Sequence, residues 1–173
     1  GSDTNHADIA KVLGNLGALY NDTKDYSKVE AYSKRALDMY RCVYGEKSVH
    51  HDIIRVIRNI GNTYKLQRDY KQAEEWYRKP VDMLTQHHHP QTDHRDIADA
   101  LKRLGNFYRD IKQYDDAHKY LNQSLEIYQR IHGTDSNRVD IADLLHDMGS
   151  NCQSNSDHST ALEYRLRALD MYR

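Results

Sequence analysis

Apolar residues recur along this chain at the spacing of a helix. Ile9, Leu13, Leu16 and Tyr20 fall three or four apart, which places them on one face of a helix with 3.6 residues per turn. Ile53, Ile57, Ile60 and Tyr64 draw the same stripe again further along. A short polar stretch follows each stripe, and then a second helical pattern begins. In the first case it carries Tyr26, Val29, Ser33, Ala36 and Leu37, and in the second Tyr70, Ala73, Tyr77, Pro80 and Val81. Tyr114, Ala117, Leu121, Ser124 and Leu125 form a third copy, and His158, Ala161, Arg165, Ala168 and Leu169 a fourth. Small residues at 73, 117 and 161 allow two helices to approach closely. The pattern predicts first helices near residues 6–22, 50–66, 94–110 and 138–154, and second helices near 26–44, 70–87, 114–132 and 158–173.

The copies are spaced evenly. Asp8, Asp52, Asp96 and Asp140 open the same phrase every forty-four residues, and Gly17, Gly61, Gly105 and Gly149 follow nine residues behind. A fixed period of this size marks stacked repeats, in which each unit needs its neighbours to complete a core. Asn5, Asp93 and Asn137 stand three residues before an aspartate, where a side chain can cap the helix while the aspartate meets its positive end. Ser48 is the expected cap in the second copy. Gly45 and Gly133 fall where a helix would end in a left-handed residue.

A Leu or Ile before the glycine, a Tyr three residues after it, a small residue nine further on and another seven later resemble the tetratricopeptide repeat. The resemblance covers essentially the whole chain. It implies an all-α fold, a right-handed superhelical α-solenoid of four helix-turn-helix repeats at about 6–49, 50–93, 94–137 and 138–173, forming one solenoid domain over 1–173. Each copy is about ten residues longer than the usual 34-residue repeat. That extra length looks like the long-helix version of kinesin light chains and nephrocystin-3-like proteins, whose repeats often begin His-Pro-Asp. His6, His50 and His94 hold the histidine place, without the proline, and Arg138 replaces the fourth.

Two departures stand out. Pro80 occupies a place held elsewhere by Ala36, Ser124 and Ala168, where it should bend the helix or cost it a backbone bond near Trp76. The fourth copy has Cys152 and His158 in place of tyrosines, and Arg165 in place of Tyr77 and Leu121, so looser packing is expected there. Nearly all of the 14 tyrosines sit at repeat positions, which assigns them to packing.

Composition narrows the functional classes. With 38% hydrophobic and 29% charged residues the chain suits a thin core and much solvated surface. A formal net charge of -1 argues against nucleic-acid binding by bulk charge, which needs a basic excess. No apolar run nears the roughly 20 residues of a membrane span. Cys42 and Cys152 lie far apart in the array, and unpaired cysteines suit a reducing compartment, so a cytoplasmic location is expected. Gly1-Ser2 looks like a cloning remnant and the chain stops within a repeat phrase, so it is expected to be a piece of something longer.

The histidine run His87, His88 and His89, with Pro90 beside it and His94 nearby, invites a metal. Such a site needs three or four ligands in one geometry, usually with a carboxylate or thiolate. The run falls in a polar connecting stretch with Gln91 and Thr92, so no metal and no cofactor is expected. No Gly-x-Ser-x-Gly turn, phosphate loop or His-Glu-x-x-His helix occurs, and no enzyme activity is expected of these repeats.

The polar side of the first helices is more informative. Arg55, Arg58, Asn59, Asn62 and Lys65 share one side of the second copy's first helix, and Lys102, Arg103, Asn106 and Arg109 take corresponding places in the third. The resemblance implies that first helices line a concave face, so these residues would form a basic, asparagine-studded strip. The fourth copy offers Asp143, His146, Asp147 and Ser150, reversing the sign.

Lys102 with Asn106 matches the lysine–asparagine pair by which tetratricopeptide proteins hold acidic chaperone tails, and Arg58 with Asn62 matches it if arginine is allowed. Ser150 stands where that pattern needs another asparagine. Kinesin light chains take extended acidic peptides into such a groove. The expected function is therefore a protein-interaction scaffold for an acidic peptide or partner protein, with charge from Arg58, Lys102, Arg103 and Arg109 and backbone contacts from Asn59, Asn62 and Asn106. Two rivals are an end-to-end stacking spacer that self-associates and a regulatory array within a larger enzyme or sensor.

Overall fold

A computed structural model of the chain describes residues 2–88, 94–133 and 139–173, and for residues 2–5 the backbone alone. The predicted caps Asp93 and Asn137, and with them His89, Pro90, Gln91, Thr92 and Arg138, lie outside the described residues. Eight α-helices and no strand occur among the described residues. They are α1 Ser2–Asp22, α2 Tyr26–Tyr44, α3 His51–Leu66, α4 Tyr70–His87, α5 Arg95–Asp110, α6 Tyr114–His132, α7 Val139–Ser154 and α8 His158–Tyr172. They fall into two compact units, Gly1–His87 with α1–α4 and His88–Arg173 with α5–α8.

Each unit holds two helical hairpins. In the first, α2 packs on α1 and α3, α4 packs on α3, and the first helices α1 and α3 also touch. Its core joins Ala10 and Leu13 of α1, Leu37 and Tyr40 of α2, and Ile53, Val56 and Ile60 of α3, all buried. The second unit repeats the plan with α5–α8, and its core joins Ala98, Leu121 and Tyr128 to Ile141, Leu144, Leu145 and Met148. Ala73, Ala117 and Ala161 are buried as the spacing required.

The four intra-repeat turns are the same turn. Asp25, Asp69, Gln113 and Asp157 each donate a backbone N–H to the carbonyl five residues back, on Tyr20, Tyr64, Tyr108 and Cys152. The residues before them donate three residues back, giving the paired bonds that close a helix C-terminus. The cost falls on Lys24, Arg68, Lys112 and Ser156, which adopt φ of 58°, 62°, 66° and 64° without being glycine. Asp25, Asp69 and Asp157 then accept from the amides of Lys28, Gln72 and Thr160, capping the next helix, while Gln113 makes no such bond.

Helix starts differ from expectation. α1 begins at Ser2, so Asn5 lies inside it rather than capping it. The cap of α3 is His50, whose Nδ1 accepts from the Asp52 amide at 3.3 Å, and Ser48 instead accepts from the His50 amide. His94 caps α5 in the same way. An imidazole two residues before the aspartate thus takes the place that shorter polar side chains usually fill. Gly45 and Gly133 do have positive φ, 98° and 83°, but with ψ of 147° and 157°, an extended region open essentially to glycine alone and not the left-handed helical one.

α4 runs from Tyr70 to His87 with Pro80 buried inside it. Three packing expectations are revised. Ile9, placed in a buried stripe by its spacing, is 46% exposed. Tyr70 is 42% exposed, unlike its half-buried counterparts Tyr26 and Tyr114. The fourth repeat is not uniformly loose: α7 buries Ile141, Leu144, Leu145, Met148 and Cys152, whereas α8 buries only Ala161 and Ala168.

Candidate functional site

The candidate residues of the first unit all lie on α3, half-buried beside the core stripe. Arg55 is committed to holding helices together. Its guanidinium reaches Asp52 at 3.2 Å, the Tyr40 hydroxyl at 3.4 Å and Asn15 of α1 at 3.4 Å. The Asn62 carbonyl oxygen accepts from the Tyr77 hydroxyl of α4, which fixes the amide and turns its NH2 end into the available donor. The backbone carbonyl of Asn59 accepts from Thr63, whose hydroxyl lies 3.1 Å from Asn21 of α1. Arg58 and Lys65 share this side of α3 and are half-buried. Spacing alone could not reveal the Tyr77–Asn62 bond, because it joins two helices.

In the second unit Lys102, Asn106 and Arg109 lie on one side of α5, with Arg103 exposed beside them. Lys102 lies 4.0 Å from Asp99. Asn106 and Arg109 converge on one carboxylate, that of Asp147 on α7. The Asn106 NH2 donates to its Oδ2 at 2.9 Å, and Arg109 Nη1 lies 3.5 Å from its Oδ1. The sign change read from the sequence is therefore a contact: the acidic residue of the fourth repeat sits against the donors of the third. Arg95 and Asp140 join α5 to α7 again at 2.7 Å.

Environment tunes several groups in each unit. A hydrogen bond to Asp143, helped by burial, pushes the Tyr172 hydroxyl up to about 12. Burial and the bond to Glu30 raise Tyr64, and the Lys34 ammonium beside Glu30 holds that carboxyl below its ordinary range. Cys152 is raised by burial, which keeps its thiol protonated and inert.

Two histidine groupings bring possible ligand atoms within 4.8 Å, His50 with His51 and Asp52, and His88 with His94 and Asp96. In both, the capping Nδ1 is occupied by a helix amide. The positive end of that helix disfavours a cation. His88 stacks on His94 with centroids 3.7 Å apart, so the two rings serve each other as packing surface.

The family model described as Tetratricopeptide repeat matches residues 8–86 and 96–173. The chain belongs to the tetratricopeptide repeat family. Solved tetratricopeptide-type structures are similar to it. BtubC (BKLC) from P. vanneervenii is 18% identical with a TM-score of 0.72, covering 94% of this chain and 63% of that one. The apo form of RapI is 17% identical with a TM-score of 0.68, covering 95% and 56%, and pilF of Pseudomonas aeruginosa is 16% identical with a TM-score of 0.62, covering 96% and 63%. At these identities the likeness concerns the fold, and the chain spans about three fifths of the length of each. No curated protein matches it. Tetratricopeptide repeats generally mediate protein–protein interactions and are typically non-enzymatic scaffolds. Among the described residues no helix is long and apolar enough to cross a membrane.

Proposed function

We propose that this tetratricopeptide array is a docking scaffold whose first-helix faces take extended acidic segments of a partner protein. The observation that carries the reading is the grip of Asn106 and Arg109 on Asp147. One amide NH2 and one guanidinium on a single side of α5 already converge on a carboxylate, the group that an acidic peptide would present. Arg58, Lys102 and Arg103 supply further positive charge on α3 and α5, and Asn59 and Asn62 supply groups that both donate and accept. A flexible peptide loses entropy on docking, which places affinity in the micromolar range.

The test is a fluorescence-anisotropy titration with an extended acidic peptide and a basic peptide of equal length. The acidic peptide should bind, and raising salt past about 0.15 M, where the screening length is about 8 Å, should weaken it. Arg103→Glu and Lys102→Glu should abolish binding, while Lys119→Glu on α6 should leave it unchanged. Equal binding of both peptides, or equal effects of the α5 and α6 reversals, would refute the reading.

A further inference from the structure

Each second helix sets one side chain against the glycine of the first helix it packs on. Ser33, Tyr77, Leu121 and Arg165 stand forty-four residues apart, opposite Gly17, Gly61, Gly105 and Gly149. A Cβ on those glycines would lie 2.6 Å from Ser33 Oγ, 3.2 Å from Tyr77 Cδ2, 2.8 Å from Leu121 Cγ and 3.1 Å from Arg165 Cγ. The glycine is therefore a gap in the side of the first helix, and a long side chain laid across it reaches the polar residues beyond. Tyr77 crosses Gly61 and meets Asn62, and Arg165 crosses Gly149 and meets Gln153 Oε1 at 2.6 Å.

The residue after each glycine decides what such a side chain can do. These residues are Ala18, Asn62, Asn106 and Ser150, so of the four pairs the second alone sets a tyrosine beside an asparagine. Tyr77 is 8% exposed, and a hydroxyl that deep is costly to leave unbonded. It donates to Asn62 Oδ1. That bond engages the acceptor end of the amide and leaves its two N–H donors. Asn62 is only half-buried, and its NH2 makes no hydrogen bond among the described residues.

Asn106, one period on, is held the opposite way. Its NH2 donates to Asp147 at 2.9 Å, and its Oδ1 is enclosed without a hydrogen-bond partner. The same residue type at the same repeat position is thus set to opposite polarity by its neighbour. The α3 amide keeps a donor to offer, whereas the α5 amide has spent its donor inside its own unit.

We infer that Tyr77 is a positioning residue for docking: it holds Asn62 so that α3 presents a hydrogen-bond donor to an oxygen acceptor of the docked segment. The inference rests on the docking reading and adds which end of the Asn62 amide does the binding. Without that hold the amide is free to turn its own oxygen toward the ligand's oxygen, an orientation that makes no bond. The acceptor is either a main-chain carbonyl or a carboxylate of the segment.

The experiment is a double-mutant cycle with Tyr77→Phe, Asn62→Ala and the two together, read by anisotropy titration of the extended acidic peptide. Phenylalanine keeps the ring against Gly61 and removes only the hydroxyl, and thermal unfolding confirms that each variant is folded at the assay temperature. Asn62→Ala should weaken binding about fivefold, the worth of one hydrogen bond, and Tyr77→Phe about two- to fivefold. With Asn62→Ala already present, Tyr77→Phe should weaken binding no further, because the tyrosine acts through the amide. Repeating the cycle as salt rises past about 0.15 M separates the acceptors, since a loss that persists assigns a main-chain carbonyl and a loss that fades assigns a carboxylate. Equal weakening by Tyr77→Phe in both backgrounds would show a structural role and overturn the inference, as would full affinity in either single variant. An acidic peptide that does not bind the unaltered chain would end the docking reading and this inference together, whereas binding without the coupling would end this inference alone.

Discussion

Replacing Gly105 by alanine tests how closely the two helices of a repeat approach. A Cβ at that position would lie 2.8 Å from Leu121 Cγ, 3.0 Å from its Cδ2 and 3.2 Å from the Ala117 carbonyl oxygen. Leu121 and Ala117 are both fully buried, so neither can swing into solvent. Forcing a methyl into such a site costs about 1–3 kcal/mol. Alanine returns about 1 kcal/mol in helix propensity. The net is a loss of up to about 2 kcal/mol, and each kcal/mol lowers the melting temperature by about 2–4 °C for a chain of this size.

Gly14→Ala is the internal control. Its Cβ would meet nothing nearer than 3.5 Å from Val56 Cγ2, an ordinary contact, so only the propensity gain of about 1 kcal/mol remains. Thermal unfolding followed by circular dichroism should move in opposite directions for the two variants. If Gly105→Ala is neutral or stabilising, or if both shift the same way, the close approach of α5 and α6 is not what selects glycine.

Further outcomes follow from single residues. Gln113→Asp should stabilise the second unit by about 1 kcal/mol in urea unfolding, because it supplies the side-chain cap that Asp25, Asp69 and Asp157 give the other second helices. Lys112→Gly should stabilise by up to about 1 kcal/mol by relieving the positive φ of 66°; an unchanged midpoint would contradict it. Pro80→Ala should raise the melting temperature, since proline inside α4 forfeits a backbone bond; an unchanged or lower value would show that the local packing is built around the ring. Asp25 and Asp157 are held below their ordinary pKa, Asp25 chiefly by Lys28 and Asp157 chiefly by Thr160, so their contribution is complete above the unfolded-state carboxyl value of about 3.9 and fades as pH falls through the lower folded-state value. Asp25→Asn and Asp157→Asn should therefore lower stability at neutral pH and leave it unchanged below the folded-state carboxyl value, which flattens the acid side of a stability–pH profile.

The helices were legible because each buries a stripe against a neighbour and repeats it at constant spacing. Seven of the eight begin and end within a residue of where periodicity puts them; α1 ends where predicted but extends back to Ser2. What the spacing hid depends on groups from two elements at once. His50 and His94 as caps require an imidazole to fold back on its own helix, which a search for short polar caps passes over. The repeated turn at Lys24, Arg68, Lys112 and Ser156 escaped notice because no glycine marks its positive φ. The basic strip was visible as a helical face, but that Arg55 braces α1 and α2, that Tyr77 fixes Asn62 and that Asp147 meets Asn106 and Arg109 are tertiary facts. Ile9 shows the opposite error, since a core stripe read from spacing is a core only where a neighbour covers it.

The most direct test of the docking reading is the affinity of Asp147→Asn for an extended acidic peptide. Asparagine keeps the shape of the side chain but removes the charge that Asn106 and Arg109 now face. If those donors recognise carboxylates from a partner, removing the internal competitor should tighten binding, by about tenfold for a gain of about 1.4 kcal/mol, and the gain should shrink as salt rises. Unchanged or weaker binding of the acidic peptide would contradict the account, because it would mean that the α5 donors serve only to hold α7 in place.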